Sequence, residues 1–175
     1  MQQTWPMQTG GGVFLIPVGF GLVLGGLIGG PALPWGLALG LIAGWSAIPV
    51  SVAFGRRRLG LRRPKRSQVI VLWAAIGLQM AVFFGLARLG YFRQWDPLTA
   101  WTVGLWIVAM HFALMRWSHG PLMAGLAVAL LLWIGAAYGL SLSLTSLVIG
   151  DGILKIAFGM LMAAPLFGSP KLGAV

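Results

Sequence analysis

The sequence predicts an all-α membrane protein, a bundle of six transmembrane helices with both termini cytoplasmic. Of its 175 residues, 59% are hydrophobic and 8% are charged, against roughly 45–50% apolar and about 25% charged in an ordinary soluble domain. Two acids and twelve bases cannot coat a body of this size with polar groups, so most of its surface must face hydrocarbon. The apolar residues also fall into six runs, each near the ~20 residues a spanning helix needs. Mean hydropathy is +0.93. Glu is absent, and so is Cys, which excludes disulfides and thiolate chemistry.

In chain order the first span is read as Gly11–Gly30, closed by Pro31 and Pro34. The preceding MQQTWPMQT lacks the positive region of a secretory signal, and no small-residue cleavage site follows, so this span is expected to stay in the mature chain. The second, Leu33–Phe54, runs into GRRRLGLRRPKRSQ, a basic loop over 55–67. The third, Gln68–Leu89, ends before the stretch from Arg93 to Pro97, and the fourth, Pro97–Trp117, before SHGP. The fifth and sixth are Pro121–Leu140 and Ser143–Phe167. Between them GLSLSLTS is only mildly polar, and five spans with one broken helix is the alternative there. No repeat relates the two halves, and residues 1–175 are treated as one domain.

Orientation follows from Lys and Arg in short loops, since cations are retained on the cytoplasmic side during insertion. Arg56, Arg57, Arg58, Arg62, Arg63, Lys65 and Arg66 place the second loop inside. Six spans then put Arg116 and Lys171 inside as well, leaving Arg88 and Arg93 outside. The expected location is a bacterial cytoplasmic membrane, crossed several times. A pI near 11.9 does not imply nucleic acid, because the charge is a local address and not a basic face. The loop is expected to meet anionic lipid headgroups, each base near such a surface being worth about 1 kcal/mol. Trp35, Tyr91, Trp95 and Trp117 fall at span ends and read as interfacial anchors.

Gly21, Gly25 and Gly29 form one row, and Gly36, Gly40 and Gly44 another, each spaced by four along a helix face. Rows of small residues let backbones approach where lipid gives no hydrophobic drive. They predict a tight hairpin of the first two spans, with a homo-oligomer along that face as the alternative. Pro17 and Pro49 each remove a backbone donor inside a span and are expected to kink it.

The ionisable residues inside spans carry the functional argument, because a charge at a helix centre costs about 2.5–3.5 kcal/mol even on mild scales. Asp151 and Lys155 are four apart, hence on one face and in reach of an ion pair. Counting ~1.5 Å per residue from the cytoplasmic ends puts Lys155 at roughly 18 Å, Asp151 at 24 Å, Gln79 at 16 Å and Thr102 at 22 Å. The expected midplane site is therefore Asp151, Lys155, Gln79 and Thr102, with Trp106 and Trp133 around it. His111, at roughly 9 Å by the same count, and His119 are secondary candidates in the cytoplasmic half. About 15 Å along the normal separates His111 from Asp151, too far for a shared ion, so no metal is expected. No haem pair, catalytic triad, phosphate loop or acidic cluster is present, and no cofactor or catalytic residue is assigned.

Residues 151–159, DGILKIAFG, are similar to the last-helix signature of microbial rhodopsins. That resemblance implies a retinal Schiff base on Lys155, Asp151 in its counterion, and Trp133 and Tyr138 in an aromatic wall. The chain departs from that family in having six spans instead of seven and no second intramembrane carboxylate. Over most of its length, through IPVSVAFGRRRLG, GLQMAVFF, HFALMRWSHG and IGDGILKIAFG, the chain resembles a family of small multispanning bacterial membrane proteins known as a domain of unknown function. The resemblance rests on Pro49, His111, His119, Gly120, Asp151, Gly152, Lys155 and Gly159, and it implies topology and class without a mechanism. The leading functional expectation is a small solute or ion transporter or channel with an intramembrane Asp–Lys site, and not an enzyme. A non-transporting structural or accessory subunit is the alternative, and retinal binding a minor one.

Overall fold

The computed structural model describes residues 7–61 and 63–167, so Arg62 and Lys171 lie outside the described residues. Every regular element described is a helix: α1 (Gln8–Ile28), α2 (Ala32–Leu59), α3 (Arg66–Arg88), α4 (Tyr91–Gln94), α5 (Pro97–Leu114), α6 (Arg116–His119), α7 (Pro121–Gly139) and α8 (Leu144–Phe167). Six of them, all but α4 and α6, are long and apolar enough to cross a membrane, which makes this a multi-pass membrane protein.

The reversal before α8 is tight. Ser141 adopts a left-handed φ of 53°, the Leu142 N–H donates to the Ala137 carbonyl, and Ser143 Oγ caps the new helix by accepting from the Ser146 N–H at 3.2 Å. Four residues thus separate two full spans, and the broken-helix alternative falls. At the other end of α5, Asp96 is the N-cap, accepting from the Thr99 N–H at 3.1 Å and from its hydroxyl at 2.6 Å. Those two bonds hold its carboxyl below the usual carboxylate range.

The helices pack in the order α2–α1–α8–α7–α5–α3. Two glycine seams make the first two joins. In the α1–α2 hairpin, Gly25 stands against Leu33, Gly40 against Pro17 and Gly44 against Phe14; a Cβ on any of the three would meet its neighbour at 2.7–2.9 Å. Gly21 and Gly36 face each other backbone to backbone in the same seam. Gly29 leaves the expected row: it follows the last turn of α1 with φ 75°, and nothing approaches it. Helices α1 and α2 continue through Pro17 and Pro49.

The second seam joins α1 to α8 and uses a different spacing. Gly12 meets Gly159 and Gly19 meets Gly152, an antiparallel crossing in which an added Cβ would stand 2.5–2.9 Å from the opposing carbonyl oxygen. Glycines seven apart, not four, bring these backbones together. Helices α2 and α3, although joined by the basic loop, stand at the two ends of the packing order and share no substantial contact. Ala75 is the single buried residue of α3.

Candidate functional site

The gap between α2 and α3 is a cleft of about 830 Å³, within the 300–1,000 Å³ range of ligand pockets. Its floor is α1, lined from Met7 to Leu22, or ~22 Å of helix at 1.5 Å per residue. At one end the wall is Arg56, Leu61, Pro64 and His119; at the other it is Leu37, Phe92 and Trp101. The basic-loop end is polar. The opposite end is built of aliphatic and aromatic side chains.

Lys155 lines this cleft at mid-height and Asp151 does not. Both are buried, at 2% and 0% exposure, and the Lys155 ammonium donates to Asp151 Oδ2 in a buried ion pair. Four-residue spacing on α8 dictates that pairing. The second carboxylate oxygen, Oδ1, has no partner. The Lys155 nitrogen also lies 5.9 Å from the Phe112 ring centroid, inside cation–π range. An ammonium carries three N–H donors; Asp151 takes one, so Lys155 has donors in reserve beside an apolar chamber.

Gln79 and His111 line the same cleft, whereas Thr102 does not; its hydroxyl donates to the Leu98 carbonyl of its own helix at 2.7 Å. The midplane group that sequence depth suggests thus loses Thr102. Trp106 is half exposed outside the cleft. Trp133 is tied to the α7–α8 joint, its indole N–H donating to the Leu147 carbonyl at 2.9 Å. Tyr138 is 68% exposed. Neither Trp133 nor Tyr138 walls the space beside Lys155.

The two histidines belong to the polar end. Met115, between α5 and α6, keeps the chain turning, and both side chains reach the cleft. Ser118 Oγ donates to the Met115 carbonyl at 3.0 Å and stands 2.8 Å from His119 Nδ1. A hydroxyl that has spent its one hydrogen can only accept, so Nδ1 carries the proton and Nε2 is left with its lone pair. Nε2 stands 3.2 Å from where a Gly11 Cβ would be, so the imidazole occupies space that only glycine leaves open. Burial, and secondarily His111, pushes His119 down to about 4. His111 Nδ1 is buried without a partner.

Among the described residues no group of three or more His, Cys, Asp or Glu side chains converges as a metal site would require. The cleft itself, Phe112 and Gly11 escape a reading of the sequence. Gly10, Gly11 and Gly12 in succession were the available signal, since such a run in a span marks close approach.

The model of a family of unknown function (DUF6609) matches residues 1–167. The chain belongs to that family. No curated protein and no solved structure matches it. Six spans, a cleft between α2 and α3 and a buried ion pair that reaches it through Lys155 are therefore the features by which this DUF6609 chain has to be understood.

Proposed function

We propose that the protein takes an amphiphilic molecule sideways from the bilayer into the cleft between α2 and α3 and carries it across the membrane. The observation that supports this reading is a chamber running along α1 from Met7 to Leu22, apolar over most of its wall, with Lys155 reaching it and Asp151 behind. An aqueous ion path would require a polar, hydrated wall; hydrocarbon walls suit a chain. Lys155 then acts as a way-station. A polar group moving through hydrocarbon loses its hydrogen bonds, and the reserve donors of Lys155 offer one back at mid-height. By the positive-inside rule the polar end of the cleft is cytoplasmic.

A second reading has its own support. Asp151 is wholly buried and adjoins Gly152, at the α1–α8 crossing, where an ion pair could serve only to fix helix register. One pair of variants separates the two. Lys155→Met alone leaves Asp151 buried and unpaired and should cost about 3–5 kcal/mol, while Asp151→Leu with Lys155→Met should be close to neutral for stability. In proteoliposomes carrying a fluorescent lipid, dithionite accessibility measures movement between leaflets. The carrier reading expects the folded double variant to lose protein-dependent movement. Wild-type rates in that variant would leave the pair a register device, and no protein-dependent movement in the parent would end the carrier reading.

A further inference from the structure

No described acid lines the cleft, and its permanently charged groups, Arg56 and Lys155, are both cationic. His119 and His111 are further bases and Gln79 is neutral; of the two acids, Asp96 is occupied at its cap and Asp151 stands behind the wall. The bases are also distributed unevenly. Arg56 and His119 are at the basic-loop end, while the far end, at Leu37, Phe92 and Trp101, has none. Arg56 is exposed, follows the buried Gly55 near the end of α2, and among the described residues is the one cationic side chain of the basic loop that lines the cleft. Arg63 and Lys65 follow it in the loop that bridges α2 and α3 across the same end, and Arg66 opens α3.

From this asymmetry we infer that the molecule bound in the cleft is an anionic phospholipid, its phosphate at the basic-loop mouth on Arg56 and an acyl chain lying along α1. This rests on the cleft reading above and adds the class and direction of the ligand. The mouth suits a phosphate: a guanidinium offers a planar fork of donors, and His119 Nε2, unprotonated, can accept a hydrogen bond from a headgroup hydroxyl. The floor suits a chain, since ~22 Å of helix exceeds the ~15 Å of one leaflet's hydrocarbon, half of a core about 30 Å thick. Surface attraction by the basic loop alone would be spread over all its charges. A site is different in kind, because it depends on the one arginine that lines the cleft among the described residues.

The test uses the full chain in nanodiscs with photoactivatable phospholipids carrying a diazirine on the acyl chain, in phosphatidylglycerol and phosphatidylcholine forms of identical chains. Adducts are mapped by peptide mass spectrometry. The inference expects phosphatidylglycerol to label cleft residues such as Leu72, Ile76 and Val108 about fivefold more than phosphatidylcholine, the ratio one surface charge confers. Arg56→Gln should bring that ratio near one, and Arg57→Gln, outside the cleft, should leave it unchanged. Equal labelling by both lipids would overturn the anionic assignment while leaving the cleft standing. An equal fall with Arg57→Gln would reduce the effect to diffuse charge. Labelling confined to the outward faces of the helices, with none in the cleft, would instead remove the reading on which the inference rests.

Discussion

Helices α1 and α3 are equally apolar spans, yet they have opposite fates. Helix α1 is clasped on two sides and buries nine residues, six of them glycine or threonine. Helix α3 buries Ala75 alone and leaves Ile70, Trp73, Leu78 and Phe84 more than half exposed. Hydrophobicity cannot explain the contrast, because in lipid an apolar side chain gains nothing by leaving hydrocarbon for protein. Close backbone approach can. The glycines of α1 touch opposing main chain at Gly152, Gly159, Gly36 and Leu33, whereas Gly77 and Gly85 of α3 have nothing within 4 Å. Small residues cement a membrane helix only where a partner offers a complementary surface, and α3 lacks one on the side facing α2.

The largest expected effect attacks the cemented side. Gly19→Val would drive a side chain into the Gly152 carbonyl, 2.5 Å from its Cβ, and into Ile156. Both obstacles belong to α8, one of them backbone. The cost should therefore exceed the roughly 1–3 kcal/mol of ordinary overpacking and prevent assembly of α1 on α8. Size-exclusion and thermal unfolding in mild detergent read this directly. A monodisperse Gly19→Val protein melting with the parent would refute the account of the seam.

How much of this was legible beforehand follows from the same contrast. The six spans and the α1–α2 hairpin were plain, since apolar run length and four-residue glycine rows are local patterns. The α1–α8 seam was not, because Gly12 and Gly19 recur at seven residues and their partners Gly152 and Gly159 lie far away in sequence. The Asp151–Lys155 pair could be read from spacing alone. Its surroundings could not: Gln79 reaches the cleft and Thr102 turns to Leu98, a matter of helix rotation that uniformly apolar spans do not encode. The cleft was invisible for a related reason. A wall facing a hydrocarbon chain and one facing bulk lipid have the same composition.

Where the two regions meet, His119 offers a sharper probe. It packs against Gly11 of the clasped helix and also lines the cleft. Burial lowers its folded pKa from 6.5 to about 4, with repulsion from His111 adding to the shift, and Arg56 and Lys155 are the other cationic groups on the cleft wall. For a base with a depressed folded pKa, the unfolded chain binds the proton first. Stability is thus complete above pH 6.5 and declines as pH falls toward 4, by about 3 kcal/mol in all. His119→Gln should flatten that slope. An unchanged slope in the variant would mean that water entering the cleft already solvates the ring, and the polar end would be open instead of packed.

The smallest effect tests the loose side. Gly77 sits mid-span on α3 with open space where its Cβ would be, so nothing resists a methyl group there. Alanine is favoured over glycine inside a helix by about 0.5–1 kcal/mol, because the unfolded chain has less freedom to lose. Gly77→Ala should therefore raise stability slightly, while the same exchange at Gly19 lowers it steeply. A change of one methyl group would act with opposite signs on two spans of similar hydropathy, according to whether backbone or lipid stands opposite. If Gly77→Ala proves destabilising by a kilocalorie or more, α3 does have a close neighbour at that position. The contrast between a clasped α1 and a loosely held α3 would then fail at that position.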